Sequence, residues 1–363
     1  MRKIVFITGS VAFATCCLWA TVVLAAPAEE EIDQIIELSL DAFEVPGMSV
    51  SVVFDGSVYY AKGHGIAEIN EPTRVDDKTL FQIASVSKAF TAAALAILVD
   101  EGKLGWDDPV IDYLPDFRMY DAWVTREFTI RDLLTHRSGL PLGAGDLLMF
   151  PEAETSREEI IRAMRYLKPS TSFRSEYAYD NLMYIIAGEV VASAAGSSFE
   201  DFLEERLLFP LGMNDCSATL SRASENAVRA TPHIEVDDKL QTTLSLESDV
   251  GAAAGGINCS ARSMALWAAF ILDKGKNAEG EQLISSAQVE QLLKPVTLLP
   301  SPQCLRTRLE CFHVLRTAVL LSWWRPLGHD DVPRNPPGTR AGRVRKQQQA
   351  ISGATSRCER DYR

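Results

Sequence analysis

Residues 86–101 have almost no polar face: alanines, Phe90, Leu95, Ile97 and Leu98 occupy nearly every side of a 3.6-residue period. Such a helix is stable only when other elements surround it, so the chain must build a large enclosing core. The charge on its first turn is Lys88, and Ser85 precedes it by three residues. That spacing is close to one helical turn and stacks hydroxyl and ammonium on one face within hydrogen-bonding reach. A serine hydroxyl becomes a useful nucleophile when a base removes its proton, and burial turns lysine into such a base by penalising the ammonium form. The positive end of the helix adds to that penalty and favours an anion forming nearby. A lysine snorkelling from a Ser/Thr-rich helix start has the same signature, so the pair needs partners elsewhere before it means catalysis.

With 363 residues, 47% of them apolar, the chain has the length for one large or two coupled domains. A formal charge of −13 argues against a nucleic-acid backbone or an acidic membrane surface as partner. Five scattered histidines and cysteines without metal spacing lead us to expect neither a metal nor another cofactor. Residues 1–26 read as a secretory signal: Arg2 and Lys3, an apolar run over 4–24, then small residues around Ala25-Ala26-Pro27-Ala28. Cleavage there predicts a periplasmic or secreted protein, with an uncleaved anchor as the alternative. Cys16 and Cys17 fall inside this segment, and export permits disulfides among the other five cysteines without demanding one.

Further along, Ile32, Ile35, Ile36, Leu38 and Phe43 have the spacing of an amphipathic helix. Two apolar strands, 48–54 and 58–61, flank Asp55-Gly56, a hairpin signal. A strand pair followed by the buried helix places Ser85 where a sheet meets a helical layer, a common position for a ligand cleft. Gly102 caps the helix, and Asp107-Asp108-Pro109 is turn and cap chemistry rather than a carboxylate pair for acid–base work. Residues 129–136 form a capped helix closed by Gly139, and His136 reads as a helix-end residue satisfying carbonyls, not a base.

Four segments occur in order: residues 81–91, Gly102-Lys103-Leu104 with Asp107-Asp108-Pro109-Val110, residues 129–140, and Pro210-Leu211-Gly212-Met213. Together, over about residues 46–275, they resemble the serine β-lactamase-related family, which includes class C β-lactamases, D-alanyl-D-alanine carboxypeptidases and related esterases. The resemblance implies an α/β (α+β) fold: a five-stranded antiparallel sheet backed by helices, with a mostly helical domain inserted between early and late strands. It also implies that Ser85 is acylated, with Lys88 as its activating partner. The family's second element, Tyr-x-Asn, is matched by Tyr179-Asp180-Asn181 just before an apolar helix. There a Tyr179 tyrosinate beside the ammonium takes and returns the Ser85 proton, and Asn181 binds a substrate amide; the bland reading is an aromatic core patch with a helix-capping Asn. Gly255 and Gly256 are assigned close backbone packing and no catalytic role.

The third element, Lys-Thr-Gly or His-x-Gly on a late strand, is missing: Lys346 precedes Gln347, His329 precedes Asp330, and Arg340-Ala341-Gly342 lacks a strand pattern. Residues 301–363 carry 11 Arg, one Lys and five acids, against 24 basic and 44 acidic residues before them. We hypothesise a reading-frame shift after about Pro295; a divergent basic tail is the alternative. Read one nucleotide later, Trp323-Trp324 must give Gly-Gly, and a TCA codon for Ser322 would place His before them. Any other Ser322 codon removes that histidine, so the coding DNA decides the point. Either way the hairpin is expected to lose its late-strand neighbours, with poor order after about residue 300.

The domain reading is therefore a signal over 1–26, a hydrolase-like domain over 27–300 and an aberrant tail over 301–363. Two functions follow. The first is an exported serine hydrolase that is acylated by β-lactam, D-alanyl-peptide or ester substrates, so the partner is a small molecule or a peptidoglycan peptide. The second is a non-catalytic relative that binds cell-wall peptides through an incomplete site.

Overall fold

The computed structural model describes residues 26–149, 155–237, 239–245, 249–297 and 319–321. Helix α1 (Glu29–Phe43) lies on a hairpin of β1 (Gly47–Phe54) and β2 (Ser57–Gly65). Asp55 and Gly56 turn the chain with φ of 49° and 75°, the paired left-handed conformations of a tight hairpin. Of the five apolar residues expected to pack from α1, only Ile32 and Ile36 reach Met48, Val50, Val52 and Tyr60, whereas Ile35, Leu38 and Phe43 are exposed. The stripe is wider than the strip of hairpin available to cover it.

The expectation of a hairpin without late neighbours is corrected at one edge. Strand β3 (Val319–Leu321) pairs antiparallel with Val50–Val52, giving a sheet ordered β2-β1-β3. The physical reason is burial: residues 48–53 of β1 are all buried, and a buried strand edge must find hydrogen-bond partners. The frame-shift hypothesis, the tail boundary, the expected poor order and the third-motif candidates His329, Arg340 and Lys346 lie outside the described residues, as does the segment 1–25. Among the described residues no single helix is long and apolar enough to cross a membrane.

Helix α2 (Ser87–Asp100) threads the core, with Phe90, Thr91 and the six residues 93–98 buried among α3 (Leu182–Ala195), α4 (Ala261–Leu272) and the irregular turn Ala252–Gly256. It ends where Gly102 takes φ 67° and Lys103 N–H donates to Leu98 O, the glycine cap read from sequence. Phe90 stacks on Trp267 of α4 at 4.2 Å, and Ala265 and Ala268 of the same helix pack against Val53 of β1, so α4 joins the helical core to the sheet. Gly188 lets α3 approach the turn, since a Cβ there would lie 2.7 Å from that of Ala253. The result is a mixed α/β architecture of short antiparallel sheets and many helices.

Candidate active site

The approach to Ser85 is pinned by a small ladder. Phe81 and Gln82 pair antiparallel with Cys259 and Asn258, Ile83 N–H donates to Ile257 O, and Asn258 exchanges hydrogen bonds with Ser217 on its other side. A disulfide between Cys216 and Cys259 fastens the same strands. The chain then makes a 3-10 turn over Ala84–Val86, and Ala84 adopts φ 45°, a left-handed conformation costing a non-glycine residue roughly 1 kcal/mol. That turn separates two fates. Ser85 stands exposed, while Ser87 and Lys88 on the first turn of α2 point inward.

Every polar group on this inward face meets the turn Ala252–Gly256 or its flank. Ser87 Oγ accepts from Ile257 N–H at 3.2 Å, and Thr91 Oγ1 donates to Ala253 O at 2.7 Å. Lys88 Nζ donates to Ala254 O at 2.6 Å, to Asn181 Oδ1 at 2.8 Å and to Ser85 Oγ at 3.3 Å. Lys88 is 7% exposed, and burial brings its pKa down to about 8, partly opposed by the carboxylates of Asp146 and Asp180. Its ammonium also lies 4.8 Å and 5.3 Å from the ring centres of Tyr179 and Tyr184.

These three contacts determine where the lone pair of a neutral Lys88 points. Ala254 O and Asn181 Oδ1 can only accept, so they hold the two remaining amine hydrogens. Ser85 is the one partner of the three with a proton to give. Loss of a proton from Lys88 therefore leaves its lone pair aimed at the Ser85 hydroxyl.

Tyr179, 94 residues away in sequence, brings its hydroxyl 2.6 Å from Ser85 Oγ. Burial holds the phenol above its usual range, with Tyr177 and Asp146 adding to the rise and the Ser85 hydrogen bond opposing it. In this half-buried site the neutral phenol is favoured over the tyrosinate expected from sequence. Asn181 opens α3 without capping it through its side chain; Asp180 Oδ1 accepts from Leu182 N–H at 2.9 Å instead. Asp180 is fully buried, and burial raises its pKa to about 7.

The structure thus brings together Ser85, Lys88, Tyr179 and Asn181, the residues singled out in the sequence. His136 is corrected. Its ring does not donate to helix-end carbonyls; Nδ1 accepts from Asp180 N–H at 3.3 Å, and the ring lies 4.5 Å from that of Tyr179. Burial, then the Lys88 charge, lowers its pKa to about 4, in keeping with a ring nitrogen that accepts a hydrogen bond. Two contributors escaped the sequence reading. The turn at Gly255 was assigned packing alone, yet Ala254 O is the shortest acceptor of Lys88; a carbonyl has no side-chain signature. Asp146 Oδ1 accepts from Asn181 Nδ2 at 3.2 Å, a contact 35 residues apart with no periodic signal.

A sequence profile described as Beta-lactamase matches residues 32–307. The unguisins hydrolase ungD′ of Aspergillus campestris is 36% identical over 206 residues, which is 54% of this chain and 38% of that protein. Protein flp of Staphylococcus aureus is 28% identical over 194 residues, 53% of this chain and 39% of its own length. The matches span about two fifths of the length of these curated relatives. Among solved structures, an octameric penicillin-binding protein homologue from Pyrococcus abyssi superposes with a TM-score of 0.64 at 24% identity, covering 76% of this chain and 62% of that one. That likeness concerns the fold.

Proposed function

The chain belongs to the beta-lactamase family, and on that premise we propose that it is an exported serine hydrolase that forms an acyl-enzyme at Ser85 with β-lactam, D-alanyl-peptide or ester substrates. The observation that carries this reading is the set of three hydrogen bonds that hold the desolvated Lys88 amine beside an exposed Ser85. Neutral Lys88 takes the proton of Ser85 as Oγ bonds to the substrate carbonyl carbon, and the tetrahedral adduct collapses by breaking its C–N or C–O bond. The Tyr179 hydroxyl supplies a proton to the leaving nitrogen or oxygen, and the proton stored on Lys88 restores the balance. Water then attacks the ester carbon with the same groups working in reverse.

Support for the chemistry also comes from relatives: one curated relative bears a hydrolase name and one solved neighbour is a penicillin-binding protein homologue. Support for export comes from the Cys216–Cys259 disulfide, which persists in oxidising compartments, and from the leader-like residues 1–26.

Incubation with a fluorescent penicillin and with a fluorophosphonate tests the reading. Covalent labelling of the wild-type protein that disappears in Ser85→Ala is expected. Folded wild-type protein that takes up neither probe would instead be the non-catalytic relative that only binds cell-wall peptides.

A further inference from the structure

The two ends of the Asn181 side-chain amide are alike in shape and opposite in chemistry, so its orientation depends on its neighbours. Here Oδ1 faces Lys88 Nζ at 2.8 Å and Nδ2 faces Asp146 Oδ1 at 3.2 Å. Lys88 alone can hold that orientation only while it is an ammonium. Once neutral, it has a lone pair that would accept equally well from Nδ2 of a flipped amide. The lone pair would then be spent on Asn181 and lost to Ser85. A carboxylate has no such ambiguity, because it only accepts.

We propose that Asp146 is a positioning residue: by holding Asn181 Nδ2 it keeps Oδ1 turned toward Lys88 in both protonation states and so reserves the Lys88 lone pair for Ser85. The inference rests on the reading of Ser85 as nucleophile and Lys88 as its base. The loop that carries Asp146 is built for placement. Gly143 N–H donates to Tyr179 O at 3.1 Å, Asp146 N–H donates to Gly143 O at 3.1 Å, and Leu148 N–H donates to Gly145 O at 2.8 Å. Gly145 takes φ 78° and lies so close to α3 that a Cβ would sit 2.4 Å from Leu182 Cδ1. Asp146 is therefore tied to the same segment that presents Tyr179 and Asn181.

The carboxylate also acts through its charge. The groups around the Lys88 ammonium are the Asp146 and Asp180 carboxyls, the Tyr179 and Tyr184 rings, the Ser85 hydroxyl and the neutral His136 ring. Asp146 favours the ammonium, so its removal makes Lys88 easier to deprotonate.

The test is the pH dependence of fluorophosphonate labelling of Ser85, in which Oγ bonds to phosphorus and fluoride leaves, in wild-type protein and in Asp146→Asn, with circular dichroism and thermal melting to establish folding. Two effects of opposite benefit are expected in the variant. Its midpoint moves to lower pH by roughly half a unit to one unit, and its high-pH plateau falls about tenfold because a flipped Asn181 occupies the lone pair. With a turnover substrate, kcat falls while KM stays close to wild type. Asp146→Glu, which keeps an acceptor-only carboxylate one methylene further out, is the second variant and should keep a midpoint close to wild type with a smaller plateau loss. A folded Asp146→Asn protein with wild-type midpoint and plateau overturns the proposal, and so does a shifted midpoint with an undiminished plateau. Folded wild-type protein that is not labelled at all overturns the underlying assignment of Ser85 instead.

Discussion

Burial of Lys88 gives the protein two pH dependences with one origin, and both are measurable. The folded-state pKa of about 8 lies below the 10.5 of an unburied lysine. Between these values the unfolded chain holds a proton that the folded chain does not, so raising the pH favours folding. Below about pH 8 the charged side chain costs the folded state roughly 3 kcal/mol, and that cost is relieved progressively as the pH rises to about 10.5. In Lys88→Met the group does not titrate. Urea denaturation of both proteins, followed by tryptophan fluorescence from pH 7 to 10.5, should show wild type gaining up to about 3 kcal/mol on the variant across this range. Ala254 O and Asn181 Oδ1 lose their donor in the variant, but this changes the offset between the curves rather than its pH dependence. The acylation rate of wild-type Ser85 should follow the neutral fraction of Lys88, from about one part in a hundred at pH 6 to about one half at pH 8, a rise of about fiftyfold. A stability difference that is flat with pH, or an acylation midpoint at pH 10 or above, would refute a desolvated lysine base.

Tyr179→Phe keeps the ring but removes the hydroxyl 2.6 Å from Ser85 Oγ, and turnover should fall about 10²- to 10³-fold, measured as kcat, with the acylation midpoint still near that of Lys88. Asp180 has a folded pKa of about 7 against 3.8 for an unburied aspartate, so the folded chain holds the extra proton and stability declines as the pH rises from about 4 to 7. Asp180→Asn should abolish that decline and raise stability at pH 8 by on the order of 3 kcal/mol, as read from denaturant midpoints. The Cys216–Cys259 bond closes a loop with a sequence separation of 43, and Cys216→Ser should cost about 4 kcal/mol, seen as a lowered melting temperature.

The parts of the fold legible in the sequence are those with a local period or turn chemistry. Asp55 and Gly56 have the left-handed φ values that a two-residue hairpin requires, and Thr129 and Asp132 form the reciprocal cap expected of a helix start. The all-round apolar pattern after Ser85 emerges as α2, beginning at Ser87 because Ala84–Val86 forms a 3-10 turn first. Where the reading went astray, the deciding partner was remote. His136 ends a helix in sequence, but its ring is claimed by Asp180 and Tyr179 from across the core. The hairpin gains β3 because buried backbone needs a partner whatever side chains the late segment carries.

By itself the sequence determined a buried helix with Ser85 and Lys88 one turn apart, and a distant Tyr179 and Asn181 at the start of a second apolar helix, because spacing along a helix is a local property of the chain. Only the tertiary structure decided that these groups converge, that Ala254 O and Asn181 Oδ1 hold two hydrogens of Lys88, that Asp146 holds Asn181, and that Cys216 joins Cys259. The physical reason is that desolvation and hydrogen-bond direction depend on what surrounds an atom in space. A backbone carbonyl acts on a lysine with the same strength whether it lies four residues away or, like Ala254, 166 residues away.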